Sequence, residues 1–292
     1  MQSALLFHLV SGHAWFTAGA TVLILIGLEL GGVFDRRPNL QRFARLLFLL
    51  AVGVSMLSGT PVPLWLAIPL ATAVLAVIAT RFRDEPTRVS RFASIAAIVL
   101  VAAAIALEVP WHRAPTLEKT PRSVLVLGDS LSSGGFAETK AWPEQFQAGA
   151  RIPTTSFANA GETVGSALVY QIDRLTEAGP ESLVVVELGG NDLLGGTPAR
   201  RFTTELDAIL STARASGSAV VMFELPIPPG RWQWGAIQRR AARRHDVALI
   251  PKRVLARLIS NDELVEDGLH PTDAGHQYIA RELARLVPQK SR

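Results

Sequence analysis

The chain has 292 residues, of which 49% are hydrophobic and none is cysteine. This composition excludes disulfides, thiol catalysis and cysteine-ligated metals, and it is more apolar than that of a wholly soluble domain. The formal net charge of +4 divides into +3 for residues 1–110, which contain 8 Arg and 5 acidic residues, and +1 for residues 111–292. Because the excess lies in short loops between apolar segments, it indicates membrane topology and gives no support to a nucleic-acid partner.

Residues 1–110 contain four apolar segments that are long enough, or nearly so, to cross roughly 30 Å of hydrocarbon as helices. These predicted spans are residues 5–34, 43–59, 62–80 and 92–109. The stretch SGTPVP between the second and third has no charge, and its two prolines and glycine break a run that is too long for one helix. The sequence therefore predicts an all-α transmembrane bundle of four helices over residues 1–110.

Two loops of this region are rich in arginine, whereas the loop SGTPVP has none. The arginines are Arg36, Arg37, Arg42 and Arg45 after the first span, and Arg81, Arg83, Arg88 and Arg91 before the fourth. Cytoplasmic loops of membrane proteins carry an excess of Lys and Arg. We therefore expect an integral membrane protein whose N-terminus and whose residues after position 109 lie outside the cytoplasm.

Residues 111–122, WHRAPTLEKTPR, read as a polar linker to a second domain over residues 123–292. In that domain short β-branched runs alternate with amphipathic stretches. The predicted strands are residues 123–127, 154–158, 183–188, 219–225 and 247–250, and the predicted helices are residues 165–178, 199–216, 234–245 and 272–287. This alternation is typical of βαβ units, so we expect an α/β domain with a five-stranded parallel sheet covered on both faces.

Four polar motifs follow the predicted strands. GDS places Ser130 after the first strand, NAGET places Gly161 after the second, and GGND places Asn191 after the third. DGLHP follows the fifth strand and carries Asp267 three residues before His270. Because the carboxyl ends of parallel strands meet at one edge of a sheet, we expect these residues to lie together.

This set of residue types meets the requirements of acyl transfer. A serine hydroxyl becomes a good nucleophile when a base within about 3 Å takes its proton, and the base needs a partner that fixes its tautomer. Ser130, His270 and Asp267 can fill these three catalytic roles. The backbone N–H groups of Ser130 and Gly161 and the side-chain amide of Asn191 can form an oxyanion hole. No cofactor is expected, and the His, Asp and Glu spacings do not indicate a metal site.

The stretches GDSLSSGG, NAGETVGS, ELGGNDLLGG and DGLHP resemble the four sequence blocks of the SGNH hydrolase superfamily, also called GDSL esterases and lipases. The resemblance covers residues 123–287 and implies a flavodoxin-like three-layer fold. It also implies four signature positions, Ser130, Gly161, Asn191 and His270, with Asp267 completing the triad. VELGGND is similar to the branch of periplasmic bacterial thioesterases, lysophospholipases and arylesterases, and the apolar segments of residues 1–110 depart from that branch.

We therefore expect a membrane-anchored serine ester hydrolase of the bacterial inner membrane, esterase-like or lysophospholipase-like, that acts outside the cytoplasmic membrane through an acyl-enzyme. Its expected partners are membrane lipids and an ester substrate, which is an acyl lipid or an acylated glycan. Two alternatives stay open. One is an O-acetylesterase or O-acyltransferase that acts on cell-surface glycans, and the other is a noncatalytic membrane-anchored binding module, which would not need an intact triad.

Overall fold

The computed structural model describes residues 2–35, 37–81, 87–134 and 140–288. Arg36 and Arg83 of the arginine-rich loops and Gly135 of the stretch GDSLSSGG lie outside the described residues, as do residues 289–292. The chain divides into two compact units. The first comprises His8–Pro110 with Ile227–Trp232, and the second comprises Met1–Phe7, Trp111–Pro226 and Gln233–Arg292.

Five helices account for most of the first 110 residues. They are α1 (Gln2–Val10), α2 (His13–Leu30), α3 (Pro38–Leu57), α4 (Leu64–Arg81) and α5 (Arg88–Glu108). The prediction of one continuous span over residues 5–34 is wrong, because the helix is interrupted at Gly12, whose φ of 82° is left-handed. A residue in that conformation does not continue a right-handed helix, and glycine adopts it without steric cost.

Three helical segments are long and apolar enough to cross a membrane, where the sequence predicted four. They are His13–Leu30, Pro38–Leu57 and Arg88–His112, the last of which adds a 3₁₀ turn (Val109–His112) to α5. The apolar part of α4, Leu64–Thr80, is shorter.

The packing and the surface of these helices both fit a lipid environment. Helix α2 contacts α3 and α5, and α4 contacts α5. A Cβ on Gly19 of α2 would lie 2.9 Å from Cδ1 of Ile105 on α5, so glycine allows a close approach, as is common between membrane helices. Large apolar side chains are exposed on the helices, including Phe43, Leu46, Met56, Leu64, Trp65 and Phe92. Helices of soluble proteins normally place polar side chains on their exposed face.

From Trp111 onward, the described residues of the α/β unit contain five strands and eight α-helices. The strands are β1 (Ser123–Gly128), β2 (Thr154–Ser156), β3 (Ser182–Glu187), β4 (Ala219–Phe223) and β5 (Ala248–Ile250). The helices are α6 (Ser130–Ser133), α7 (Trp142–Ala150), α8 (Val164–Tyr170), α9 (Gly190–Gly195), α10 (Ala199–Ala215), α11 (Trp232–Arg244), α12 (Arg253–Ile259) and α13 (Asp273–Ala284). A 3₁₀ helix (Ile172–Glu177) follows α8.

The five strands form one sheet in the order β2-β1-β3-β4-β5, and every neighbouring pair is parallel. The predicted five-stranded parallel sheet is therefore confirmed, and its order is the flavodoxin-like one. In this topology the strand order reverses between β1 and β3, and ligands bind outside the carboxyl ends of the strands at that point. Strand β1 ends two residues before Ser130, and β3 ends four residues before Asn191.

Apolar side chains of the strands are buried on both faces of the sheet. Val124 and Val126 of β1 enter a core shared with α7, α12 and α13. The intervening Leu125 and Leu127 are also buried, and they point to the opposite face because successive strand residues alternate. Helix α10 contacts β4 and α8 and buries Phe202 and Leu206. Helices therefore cover both faces and leave the carboxyl edge to the loops.

Candidate active site

Ser130 lies at the sharp turn that follows β1. Asp129 caps the short helix α6, with its Oδ1 accepting a hydrogen bond from the N–H of Leu131 at 3.0 Å. Position 128 favours glycine, because a Cβ there would lie 2.7 Å from both Oγ and Cβ of Ser132. The chain therefore passes directly from strand to helix and holds Ser130 at the carboxyl edge of the sheet.

His270, on the loop between α12 and α13, reaches the hydroxyl of Ser130. Its Nε2 lies 3.2 Å from Oγ of Ser130, and its Nδ1 lies 2.6 Å from Oδ2 of Asp267. Both distances are within hydrogen-bond range. Because an ionised carboxylate only accepts, Nδ1 carries the proton and Nε2 is left to accept the hydroxyl proton of Ser130. The structure brings hydroxyl, imidazole and carboxylate into one hydrogen-bonded chain.

Asp267 is held in an ionised state by its own turn. Its Oδ1 accepts the backbone N–H groups of His270 at 2.8 Å and of Leu269 at 3.0 Å. Gly268 adopts a φ of 86°, which lets the loop fold back on Asp267. Hydrogen bonds from the backbone and ring of His270 hold the pKa of Asp267 well below its usual range. The carboxylate therefore stays charged beside the imidazole although its side chain is 54% exposed.

Gly161, in the loop after β2, presents an unpaired backbone N–H. Its φ of 79° is left-handed, and a Cβ at this position would meet no atom within 4 Å. Conformation, and not lack of space, therefore favours glycine here. Across the part of the chain that the structure describes, the N–H groups of Gly161 and Ser130 have no hydrogen-bond acceptor. Both can donate to an oxygen atom of a ligand.

Asn191, in the first turn of α9, connects the loops that carry Ser130 and Gly161. Its Nδ2 donates to the backbone carbonyl of Glu162 at 2.9 Å and to Oδ2 of Asp129 at 3.3 Å. Glu162 follows Gly161 in the chain, and Asp129 precedes Ser130. The side-chain amide thus lies between the two turns, and the structure brings together the loops after β1, β2 and β3.

The carboxylate of Asp192 fixes the start of α8. Its Oδ2 accepts the backbone N–H of Val164 at 2.8 Å, and burial raises its pKa. This contact joins the loop after β3 to the helix that follows Gly161. Among the described residues, no group of three or more His, Cys, Asp and Glu side chains is arranged to hold a metal ion.

Two further carboxyl groups are buried where β1 and β3 end. Asp129 and Glu187 are 3% and 1% exposed, and Glu187 lies opposite Gly128 in the register of the two strands. Burial raises the pKa of Asp129 to about 6. Burial and the negative charge of Asp129 raise the pKa of Glu187 well above its usual range. Oε2 of Glu187 accepts the hydroxyl of Ser132 at 2.8 Å, and Oγ of Ser132 accepts Nε1–H of Trp142 at 3.0 Å.

Sequence reasoning missed this buried network and also missed Gln171. Oε1 of Gln171 accepts the N–H of Gly128 at 3.1 Å, and its Nε2 donates to the carbonyl of Gly128 at 3.0 Å. The side chain therefore satisfies both backbone groups of the residue that ends β1. A signal was available for Glu187, since an acid at the end of the apolar run SLVVVE is costly to bury without a purpose. Ser132 and Gln171 carry no such signal.

Comparison with known proteins places the similarity in the α/β unit. The model of the GDSL-like lipase/acylhydrolase family matches residues 126–278. An arylesterase of Vibrio mimicus is 31% identical over an alignment of 174 residues that covers 56% of this chain and 86% of that protein. The thioesterase 1/protease 1/lysophospholipase L1 of Escherichia coli strain K12 is 27% identical over an alignment of 175 residues that covers 56% of this chain and 83% of that protein.

A solved structure shows the same fold. The crystal structure of the psychrotrophic esterase EstA from Pseudoalteromonas sp., inhibited by monoethylphosphonate, matches with a TM-score of 0.51 and 24% sequence identity, covering 56% of this chain and 95% of that one. The family match spans more than half of the chain and includes the residues described above, from the turn at Ser130 to the loop at His270. The chain therefore belongs to the GDSL-like lipase/acylhydrolase family, within the SGNH hydrolase superfamily.

Proposed function

We propose that this chain is a serine ester hydrolase with Ser130 as nucleophile, His270 as general base and Asp267 as the partner of the base. The observation that carries the proposal is the hydrogen-bonded chain of 3.2 Å and 2.6 Å that links the three side chains. A base within hydrogen-bond reach of the hydroxyl that it deprotonates is the geometric requirement for an activated serine. The family membership supports carboxylic esters as the substrate class.

Acylation of Ser130 follows from this geometry. Oγ attacks the carbonyl carbon of the ester while its proton passes to Nε2 of His270. The ionised Asp267 stabilises the imidazolium ion that forms and keeps the ring oriented. His270 then donates the same proton to the alcohol oxygen as the bond between that oxygen and the acyl carbon breaks. The alcohol leaves, and the acyl group remains as an ester on Ser130.

Three hydrogen-bond donors are proposed to stabilise the oxyanion of the tetrahedral intermediate. They are the N–H groups of Ser130 and Gly161 and Nδ2 of Asn191. The 2.9 Å bond to the carbonyl of Glu162 and the 3.3 Å bond to Asp129 orient the amide of Asn191, and the N–H of the longer bond is shared with the oxyanion. Removal of one such donor typically lowers kcat by about 100- to 1,000-fold.

Deacylation repeats the same steps with water in place of the hydroxyl. His270 takes a proton from a water molecule as its oxygen attacks the acyl carbon of the acyl-enzyme. The same three donors hold the second oxyanion. When the intermediate collapses, His270 returns the proton to Oγ of Ser130, and the carboxylic acid is released. No group other than water is consumed in this half of the cycle.

We place the enzyme in a membrane. The proposal takes residues 1–110 as a four-helix transmembrane region that includes α4, residues 111–122 as a linker and residues 123–292 as the hydrolase domain. Three helical segments with the length and hydropathy of a span support it. Arg37, Arg42, Arg88 and Arg91 flank them and assign their loops to the cytoplasm, which puts the hydrolase domain on the periplasmic or extracellular side of the inner membrane.

An acyl lipid, such as a lysophospholipid, is the substrate class that we favour. One of the similar proteins carries lysophospholipase in its name and another carries arylesterase, so both names denote ester cleavage. A hydrolase held at a bilayer meets lipid esters at high local concentration, and this favours the lipid. An acylated cell-surface glycan is the competing substrate, and the assays below compare the two.

The nucleophile is tested by hydrolysis of p-nitrophenyl butyrate with the full chain in detergent micelles. We expect Ser130→Ala to lower kcat by about 10,000-fold or more. Ser133→Ala is the matched control, because Ser133 lies on the same short helix and is exposed. A Ser130→Ala variant with the wild-type rate would refute the assignment of the nucleophile.

Substrate class and transfer are tested by a second set of assays. A chain-length series of esters is compared with lysophospholipid in mixed micelles and with an O-acetylated sugar. The proposal predicts a higher kcat/KM for the lipid than for the sugar ester, and the reverse order would favour the glycan. An added sugar acceptor that becomes acylated would identify a transferase.

Orientation is tested by reporter fusions at the C-terminus. A phosphatase that is active only outside the cytoplasm is expected to be active in the fusion, and a fluorescent protein that matures only in the cytoplasm is expected to be dark. The opposite pair of results would overturn the proposed topology. It would leave the chemistry of Ser130 untouched.

A further inference from the structure

The structure connects two buried carboxyl groups, which the steps above do not use, to both halves of the site. Gly128 and Glu187 are direct neighbours across β1 and β3, so the side chain of Glu187 lies beside the turn at Asp129. The carboxyl groups of Asp129 and Glu187 are close enough for each to change the pKa of the other. Both side chains are almost completely shielded from water.

The hydrogen bonds around the two carboxyl groups indicate where a proton shared between them would lie. Asp129 uses Oδ1 to accept the N–H of Leu131 and Oδ2 to accept Nδ2 of Asn191, so both of its oxygens act as acceptors. Oε2 of Glu187 also acts as an acceptor, for the hydroxyl of Ser132. A bond between two carboxyl groups needs a proton, and two adjacent negative charges in a buried site repel each other strongly. A proton on the other oxygen of Glu187, donated to Asp129, would meet both requirements.

We propose that Asp129 and Glu187 form a buried acid pair that shares one proton and positions Ser130 and Asn191 for the reaction. Asp129 immediately precedes Ser130, and its Oδ2 orients the amide of Asn191. Glu187 holds the carboxylate of Asp129 through the shared proton, and Glu187 is itself held by a hydrogen bond from the hydroxyl of Ser132. Both are positioning residues, because neither touches the substrate. The inference rests on the proposed ester hydrolase function and extends it to two residues outside the triad and the oxyanion hole.

The single negative charge of the pair also faces the general base. The titratable groups that act on Asp129 are Glu187, His270 and Asp192, and the interaction with His270 is attractive. An anionic Asp129 thus adds to the stabilisation of the imidazolium ion that forms during attack. For Glu187 the acting titratable group is Asp129. A pair with two charges would repel, and a pair with none would lose the negative charge that attracts the N–H of Asn191 and the imidazolium ion.

Replacement of Glu187 by an isostere and by an apolar residue tests the pair. In Glu187→Gln the amide N–H donates to Asp129 and the amide oxygen accepts from Ser132, so the arrangement of the protonated acid is reproduced. Glu187→Leu removes both bonds. We expect kcat for p-nitrophenyl butyrate to fall about 100-fold in Glu187→Leu, the size of the loss of one oxyanion donor. KM should stay within about threefold in both variants, and kcat of Glu187→Gln within about tenfold of wild type, since the binding surface is unchanged.

The pH profile of kcat separates positioning from a general packing role. Without the hydrogen bond from Glu187, Asp129 accepts a proton more readily, so the acid limb of the Glu187→Leu profile should move to higher pH by about one unit. The limb of Glu187→Gln should coincide with that of the wild type. Loss of packing alone lowers kcat at every pH and does not move the limb.

Failure of the acid pair and failure of the proposed function give different results. Equal losses of kcat in the two variants, or a wild-type kcat in Glu187→Leu, would overturn the pair while wild-type hydrolysis upholds the proposed function. If Glu187→Leu does not fold, as judged by hydrogen exchange of the β3 amides, Ser132→Ala replaces it. That variant should lower kcat about tenfold through the weaker hold on Glu187, and an unchanged kcat would overturn the pair. Absence of ester hydrolysis by the wild type would overturn the proposed function and, with it, this inference.

Discussion

Asp267 and His270 are three residues apart and are joined by two hydrogen bonds. The backbone N–H of His270 donates to Oδ1 of Asp267 at 2.8 Å, and Nδ1 of the ring donates to Oδ2 at 2.6 Å. The spacing in DGLHP makes both bonds possible, because the left-handed Gly268 turns the chain back on itself. One short loop thus fixes the tautomer, the orientation and the ionised partner of the imidazole.

Replacement of Asp267 by asparagine should remove most of the activity. The amide of Asp267→Asn can donate to Nδ1 and so favours the wrong tautomer, in which Nε2 is protonated and cannot accept from Ser130. We expect kcat for p-nitrophenyl butyrate to fall by about 1,000- to 10,000-fold. Glu266→Gln is the matched control, because it removes an exposed neighbouring charge and leaves the ring contacts in place. A loss of kcat in Asp267→Asn that only equals that of the control would refute the assigned partner.

Replacement of Gly161 by alanine should impair catalysis more than folding. The left-handed φ of 79° disfavours a side chain by roughly 1 to 2 kcal/mol, so the loop relaxes and the N–H moves away from the oxyanion. We expect kcat to fall about 10- to 100-fold with a smaller change in KM. Gly149→Ala, at an open position of helix α7, serves as the control. Steady-state kinetics on both variants test this prediction. Equal kcat values for Gly161→Ala and Gly149→Ala would exclude the N–H of Gly161 from the oxyanion hole.

Loss of the Gln171 side chain should destabilise the end of β1. Gln171→Leu leaves the buried N–H and carbonyl of Gly128 without partners, each at a cost of about 1 to 3 kcal/mol. Hydrogen exchange of the β1 amides in the full chain measures the local opening, and it should accelerate strongly. Gln233→Leu, at an exposed position of α11, is the control and should exchange like the wild type. Unchanged protection of the β1 amides in Gln171→Leu would show that the hydrogen bonds between Gln171 and Gly128 do not stabilise the end of β1.

Stability of the α/β unit should depend on pH through Asp129. Its folded pKa of about 6 exceeds the unfolded value of about 4, so the folded state holds a proton that the unfolded state releases between these values. Stability from this group is therefore present at pH 4 and declines as the pH rises through 6. Asp129→Asn removes the titration of this group, so the stability of the variant relative to the wild type should rise by about 2 kcal/mol from pH 4 to pH 7.5.

The comparison of Asp129→Asn with the wild type is made by hydrogen exchange of the β3 amides at pH 4 and pH 7.5. The opening free energy of the variant minus that of the wild type should be larger at pH 7.5 than at pH 4. A difference that is the same at both pH values would contradict the raised pKa. The variant should also be less active, because its amide replaces by a donor one of the two oxygens that accept from Leu131 and Asn191.

The positions of the site residues could be predicted because the motifs coincide with strand ends. Ser130 and Asn191 follow β1 and β3, where a parallel sheet collects its loops whatever the details of the helices. His270 was harder to place, since irregular chain separates it from β5. Only the residue types of DGLHP indicated that its ring would meet Ser130.

Helices were predicted well only where their periodicity was long. The prediction for residues 199–216 agrees with α10 (Ala199–Ala215), whereas α7 and α12, with 9 and 7 residues, were missed. Short helices offer too few turns for an apolar repeat to stand out. The stretch predicted as one helix over residues 165–178 is α8 followed by a 3₁₀ helix, and Gln171 at the junction turns inward to pair with Gly128.

The buried acid pair shows what sequence patterns cannot reveal. Glu187 lies 58 residues from Asp129 in the chain, and the two meet because β1 and β3 are adjacent in the sheet. No spacing rule connects them, and their proton depends on burial that only the packed structure defines. In the first 110 residues the break at Gly12 was missed for a related reason, because a single glycine in an apolar segment is compatible with a continuous helix.

Covalent labelling tests the central claim most directly. A reactive ethyl phosphonate ester is added to the full chain in micelles, and the labelled residue is identified by peptide mass spectrometry. We expect one phosphonyl group per chain on Ser130, in step with loss of esterase activity, and no adduct in Ser130→Ala. Labelling of another residue with equal loss of activity, or full activity after complete labelling of Ser130, would contradict the account.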